Sequence, residues 1–213
     1  MIINNNKIIV IDNFFDEDDF NSLSKIYLKK IKKNEIKVHH NSIFKNDLIE
    51  NESLSKDFIY KIHSKYHEKV FNILQKLDFQ KSKIYDYTDL VLTETGADYK
   101  YPIHDDTPNK LLSGVIYINP KTNCGTSFYE NRFGKNKVTI EWKQNRAVFF
   151  SRKEFISWHS YQGDGVSNRI ALIYNLNTNK LKKVYEIENK SYFFGNLRYK
   201  LNPYLFEFFN FII

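Results

Sequence analysis

Apolar and polar positions follow two different rhythms along this chain. Between about Ser55 and Leu77, the residues Ile59, Ile62, Tyr66, Val70, Ile73, Leu74 and Leu77 recur at helical spacing and form one stripe. That period predicts an amphipathic helix. An earlier helix is predicted after the acidic cluster Asp16-Glu17-Asp18-Asp19, with apolar positions at Phe20, Leu23, Ile26, Tyr27 and Ile31. The acidic residues suit its N-terminus, and Lys29, Lys30, Lys32 and Lys33 suit its C-terminus. Ahead of it, Lys7 to Phe15 is a β-branched apolar run that reads as a strand. Residues 34–53 show no clear period and are expected to be loop.

The rhythm changes near Ile84. From there to about Leu176, short β-rich runs alternate with turn residues: 89–95, 111–119, 126–131, 137–142, 146–151 and 169–176. Many short strands at near-regular spacing predict a barrel or jelly roll rather than a parallel α/β sheet. The last stretch, Ser191 to Ile213, carries Phe206, Phe208, Phe209 and Phe211. It reads as a helix capping one end of the β core or as a homodimer contact. Capping is the simpler reading, because an exposed patch of that size is unusual on a monomer.

With 213 residues, the chain reads as one domain: a strand and supporting helices over 1–83, a β core over 84–176 and an aromatic-rich segment over 177–213. Hydrophobic residues make up 42% and aromatic residues 16%, enough to fill a core, and the 18 Phe and 15 Tyr lean toward β structure. The formal charge of +7 raises nucleic acid as a partner. The lysines, however, are scattered over the whole chain, so a solvated basic surface is expected and no nucleic acid. A basic mouth that attracts anions fits the same charge. The single cysteine, Cys124, excludes a disulfide within the chain and fits a reducing compartment. The N-terminus lacks a signal pattern, and no run approaches the roughly 20 apolar residues of a membrane span. A cytoplasmic protein is therefore expected.

The histidines carry the candidate chemistry. His104 and Asp106 lie in Tyr101-Pro102-Ile103-His104-Asp105-Asp106-Thr107-Pro108. In an extended segment, side chains at i and i+2 point the same way. His104 and Asp106 can thus converge on one ion, while Asp105 points away. His159 is flanked by strands that could return it to the same place. Two histidines and one carboxylate on one face of an octahedron leave three positions open, the arrangement of non-haem iron oxygenases. Arg169 begins the apolar run Arg169-Ile170-Ala171-Leu172-Ile173-Tyr174, where a buried guanidinium needs an anion. Spacing alone leaves two partners equally open: a bound carboxylate or a protein carboxylate. His63 and His67 share a helix face but lack the glutamate of a zinc motif, so they read as helix-surface residues, and His39-His40 falls in the expected loop.

In their order, the HxD triplet, the strand LLSGVIYIN, GTSFYEN, the Trp158-His159 pair and NRIALIYN resemble the Fe(II)/2-oxoglutarate-dependent dioxygenases, the prolyl-hydroxylase-like branch most closely. The similarity covers roughly residues 84–176, and Lys7 to Phe15 with the following helix resembles that branch's N-terminal strand and helix. The resemblance implies a mainly β fold with flanking helices, its core a double-stranded β-helix (jelly roll). It implies that His104, Asp106 and His159 hold Fe(II), and that Arg169, helped by Tyr117, anchors the tail of 2-oxoglutarate. O2 is then the oxidant, and ascorbate an allowed addition. The intact carboxylate of Asp106 implies hydroxylation, with release of succinate and CO2, rather than halogenation. The substrate would be a small molecule or a peptide: a peptide prolyl, an amino acid or a sugar-type compound. Tyr101, Tyr129 and Arg132 are the candidates for touching it. Gly125-Thr126-Ser127-Phe128-Tyr129 resembles the Gly-Gly strand at the substrate mouth, with Cys124 in place of the first glycine. Two other readings stand beside this one. A metal-binding jelly-roll isomerase or epimerase would give Arg169 a purely structural role, and a non-catalytic sugar- or peptide-binding module would release no succinate.

Overall fold

The computed structural model of this chain describes residues 1–26, 31–44, 49–50 and 54–209. In chain order it comprises β1 (Ile2–Ile3), β2 (Asn6–Ile11), α1 (Glu17–Ser24), β3 (Ile36–His39), β4 (Ser42–Phe44), β5 (Ile49–Glu50), α2 (Lys56–Leu77) and α3 (Phe79–Ser82). These are followed by β6 (Tyr87–Thr95), β7 (Lys110–Asn119), β8 (Thr126–Phe128), β9 (Val138–Ile140), β10 (Ala147–Phe150), β11 (His159–Ser160), β12 (Arg169–Asn177), α4 (Leu181–Ile187) and α5 (Tyr192–Phe209). The protein is mainly β, with antiparallel sheets and several helices.

A large antiparallel sheet runs in the order β1-β2-β10-β7-β12-β6-β4-β5, with β3 also paired to β6. A small sheet, β11-β8-β9, accompanies it. Residues 100–104 lie against β11 through the bridges Lys100–Gln162 and His104–His159, extending the small sheet by one more segment.

Helix α2 forms where its period predicts. Ser55 caps it by accepting the Phe58 N–H, and the seven stripe residues are its buried ones. They pack with Phe14, Leu92, Leu112, Ile116, Phe149, Leu172 and Tyr174 on one face of the large sheet. Alternate residues of the same strands, among them Val115, Tyr117, Val148, Phe150 and Ala171, form a second cluster with Phe128 and Ile140 of the small sheet. The period of two thus divides each central strand between a helix-backed core and a cavity wall.

Three expectations change. Helix α1 ends at Ser24 rather than near Lys33, with Tyr27, Lys29 and Lys30 outside the described residues. Residues 34–53 are not simply loop: β3 and β4 add to the edge of β6, and β5 adds to β4. Such short strands carry little periodicity of their own, and partners on β6 decide their conformation. The first strand stops at Ile11, before Phe14 and Phe15 turn into the α2-side core.

The described part of the C-terminal segment is helical from Tyr192 to Phe209. Among the described residues of α5, Phe206 stacks on Tyr101 at 5.7 Å, while Phe193 and Phe194 are each 71% exposed. The side chains of Phe208 and Phe209, and Phe211 altogether, lie outside the described part. No described helix is long and apolar enough to cross a membrane.

Candidate metal centre

Two prolines shape the HxD segment. A residue preceding proline is pushed into extended backbone, so Tyr101 before Pro102 and Thr107 before Pro108 keep 101–107 from coiling. The His104 N–H donates to the His159 carbonyl at 3.0 Å, and the His159 N–H donates back to the His104 carbonyl at 2.8 Å. This reciprocal pair fixes the two imidazoles side by side, with ring centroids 4.2 Å apart. One ligand atom from each of His104, Asp106 and His159 lies within 4.8 Å of the other two, so the three could hold one metal ion. Asp105, between them in sequence, turns away to pair with Arg198 of α5 and accepts the Phe155 N–H at 2.9 Å.

The three donors are oriented from behind. His104 Nδ1 lies 3.0 Å from the Pro102 carbonyl, and His159 Nδ1 lies 2.8 Å from the Ser157 carbonyl. A carbonyl only accepts, so each Nδ1 carries the proton and each Nε2 is left as a lone-pair donor. Asp106 accepts from Lys110 Nζ at 2.6 Å and from Ser113 Oγ at 2.5 Å. Burial, with His159 alongside, pushes the His104 pKa down to about 3. Burial also lowers that of His159. Burial would raise that of Asp106, but Lys110, His159 and His104 together hold it well below the usual carboxylate range. At neutral pH the cluster is therefore two neutral imidazoles and one carboxylate, the forms that bind a cation.

A cavity of about 360 Å³ opens from the triad along the inner face of the large sheet. At one end stands Arg169, 2% exposed, with Nε and Nη1 buried and without a hydrogen-bond partner. Among the described residues no carboxylate pairs with it. Aromatic rings surround it instead: its guanidinium carbon lies 4.5 Å from Tyr161, 5.1 Å from Trp142 and 5.7 Å from Tyr117. Burial lowers its pKa, a cost that an incoming anion would offset.

Tyr117 is close to Arg169, but its hydroxyl donates to Thr126 Oγ1 and accepts the Thr126 N–H, both at 2.9 Å. Tyr101 lines the cavity beside the metal site, its ring 4.6 Å from His104. Tyr129 and Arg132 do not line it. Tyr129 bonds Ser160 at 2.9 Å on the opposite face of the small sheet, and Arg132 is exposed over Phe133. Lys110, Ser113, Tyr161 and Trp142 were not singled out by the sequence. Only Ser113 and Lys110 had a usable signal, since both lie on the strand that follows the HxD segment.

Two antiparallel sheets around a His-Asp-His cluster, with the uncompensated buried Arg169 on β12, make a fold similar to that of the 2-oxoglutarate/Fe(II) oxygenases of prolyl-hydroxylase type. A Pseudomonas putida prolyl-4-hydroxylase matches with a TM-score of 0.57 at 11% identity, over 82% of this chain and 94% of that one. A Trichoplax adhaerens prolyl hydroxylase, solved with a hypoxia inducible factor peptide fragment, matches at 0.57 and 15% identity, over 84% of this chain and 87% of that one. A viral collagen prolyl hydroxylase from Paramecium Bursaria Chlorella virus-1, solved with 2-oxoglutarate, matches at 0.51 and 15%, over 80% and 96%. No protein-family model matches the sequence, and no curated protein matches it. At these identities the likeness is one of fold.

Proposed function

We propose that this protein is an Fe(II)- and 2-oxoglutarate-dependent oxygenase that hydroxylates an organic substrate, and that its two sheets are the double-stranded β-helix of that class. The observation that carries this reading is Arg169. A buried guanidinium with two orphaned nitrogens, at the end of the cavity that also holds the triad, fits the distal carboxylate of 2-oxoglutarate. A jelly-roll isomerase would leave that charge buried with no counterion, and so would a binding module for neutral ligands.

His104, Asp106 and His159 would hold the metal, and the Pro102 and Ser157 carbonyls aim the imidazoles at it. Lys110 and Ser113 keep Asp106 ionised and oriented. Arg169 would fix the cosubstrate's tail, with Tyr117, Tyr161 and Trp142 excluding water from the charge pair. Fe(II), 2-oxoglutarate and O2 together supply the oxidising power to hydroxylate a C–H bond, with succinate and CO2 as co-products. Ascorbate would serve as an auxiliary reductant. The substrate is a peptide or a small molecule, in keeping with the peptide held by the Trichoplax protein.

Calorimetry with Mn(II), which binds such sites without turnover, tests the reading directly. We expect 2-oxoglutarate to bind only the metal-loaded protein, and Asp106→Ala or His159→Ala to abolish both metal binding and succinate release while circular dichroism stays unchanged. Metal-loaded protein that takes up no 2-oxoglutarate would overturn the assignment.

A further inference from the structure

The far end of the cavity is as distinctive as the Arg169 end. On the inner face of β12, Arg169, Ala171, Ile173, Asn175 and Asn177 follow one another, all lining the cavity. The strand thus presents a cation, then an apolar stretch, then two amides. Asn175 and Asn177 are each 2% exposed. Their Oδ1 atoms, and that of Asn109 from the loop before β7, are buried with no hydrogen-bond partner. Buried polar groups in folded proteins are satisfied almost without exception, so three orphaned acceptors lining one cavity call for a ligand that donates. Among the described residues the Asn109 amide nitrogen reaches Tyr87 alone, at 3.4 Å.

The strand register ties this group to the metal centre. Asp89 pairs with Asn175 across β6 and β12, and Asn175 pairs with Ser113 across β12 and β7. Ser113 Oγ in turn holds the candidate ligand Asp106. Neighbouring strands lie about 4.8 Å apart, so Asn175 is one strand removed from a group touching the metal ligand. Arg169 is six residues along the same strand, about 20 Å away at the usual rise. The amide end therefore lies beyond the reach of a small dicarboxylate held at Arg169, and within reach of a second molecule presented to the metal. Asp89 is engaged there by His40 at 2.7 Å and by Ser42 at 3.1 Å, so no bare charge dominates the subsite.

We propose that Asn109, Asn175 and Asn177 form the subsite for the substrate, and that they recognise a hydroxyl-rich group of sugar or polyol type. A carboxamide offers an acceptor and a donor, and a hydroxyl both donates and accepts, so adjacent hydroxyls satisfy a cluster of amides in full. An ammonium group also donates, but it would bring a charge to a subsite where Asp89 is already held by His40 and Ser42. A prolyl ring has no donor and would leave the three buried Oδ1 atoms without one, which selects against it. This inference rests on the oxygenase reading, because that reading makes this the substrate end of the cavity.

The test titrates protein loaded with Mn(II) and 2-oxoglutarate with myo-inositol, glucose, a nucleoside-diphosphate sugar and a proline-containing peptide. At least one hydroxylated probe should bind more tightly than the peptide, and Asn175→Leu should weaken it about tenfold, the loss of one well-made hydrogen-bonded contact. Asn109→Ala, at a half-buried loop position, repeats the measurement should Asn175→Leu not fold, and 2-oxoglutarate affinity serves as the fold control for both. The proposal is overturned if no hydroxylated probe binds, if the peptide binds better, or if the variants leave the probe's affinity unchanged. Failure of 2-oxoglutarate itself to bind would instead overturn the oxygenase reading.

Discussion

Two buried arginines, seventeen residues apart, show what separates a charge that holds a fold from one that awaits a ligand. Arg152 is 0% exposed and fully engaged. It donates to Glu188 at 2.6 Å and to the Asp106 carbonyl at 3.1 Å, and lies 3.7 Å from Glu154. Glu188 also pairs with the buried Lys81 at 2.7 Å, and Glu154 pairs with Arg198 of α5 at 2.8 Å. This network joins α3, α4 and α5 to the back of the HxD segment. Arg169 is 2% exposed and has aromatic rings for company but no carboxylate. Burial acts to lower both pKa values. For Arg152 the fields of Glu188, Asp105 and Glu154 outweigh it and raise the value, whereas for Arg169 nothing does. The paired arginine is part of the scaffold, and the unpaired one lines the cavity of the proposed site.

Opposite responses to the same substitution would test that contrast. Arg152→Met should cost about 3 kcal/mol in urea unfolding, because buried Glu188 keeps only Lys81 of its two cations and the Asp106 carbonyl loses its donor. Removing Glu188 as well should recover part of the loss. A change under about 1 kcal/mol would show that the network is not what holds the C-terminal helices.

Arg169→Met should do the reverse to stability, leaving it unchanged or raising it, since an unpaired buried charge is removed. Its cost should appear in 2-oxoglutarate affinity, by about 2 kcal/mol or roughly thirtyfold, read by calorimetry on Mn(II)-loaded protein. Unchanged affinity would make Arg169 structural after all.

A smaller effect is expected at Asp105. Asp105→Asn should loosen α5 by about 1.5 kcal/mol through loss of the Arg198 charge pair, visible as faster amide exchange in that helix. Mn(II) affinity should not follow. If it fell as far as in Asp106→Ala, the wrong aspartate would have been assigned to the metal.

The smallest effect concerns pH. Asp89 hydrogen-bonds His40 and raises its pKa above the ordinary value of 6.5, although the side chain is more than half exposed. Because the folded value is the higher one, the contribution is fully present below pH 6.5 and disappears as pH rises through the folded pKa. His40→Gln should flatten the stability profile above pH 6.5 and leave its slope below that pH unaltered. A slope that persists would place the titration on another group.

How much of this could be read from the chain differs by element. Helix α2 was legible because its signal is local: one stripe of seven residues and a serine cap, all within about six turns of chain. The central strands were legible for the same reason. The edge strands β3 to β5 were not, because pairing of β3 and β4 on β6, and of β5 on β4, shapes those residues more than their own sequence does. The candidate site divides in the same way. His104 and Asp106 share a side of an extended segment two residues apart, so their convergence follows from strand geometry, while the return of His159 to meet them needs the His104–His159 backbone bridge. The amides of β12 stand on the same parity as Arg169 in Arg169-Ile170-Ala171-Leu172-Ile173-Tyr174-Asn175-Leu176-Asn177, but that their oxygens lack partners is a property of the tertiary structure.

What the residue order determined by itself was periodicity: which segments coil, which extend, and which side chains share a face. That is enough to propose two imidazoles, a carboxylate and an arginine in one β core. Tertiary structure alone decided which charges are paired. Arg152 and Arg169 each border an apolar strand, and Glu154, two residues from the first, stands 3.7 Å from it and does not by itself show that the charge is compensated. The carboxylate that hydrogen-bonds the first arrives from 36 residues away, and among the described residues none arrives at the second. Side-chain direction follows from local backbone geometry, but compensation of a buried charge depends on what the rest of the chain brings to within a few ångströms of it.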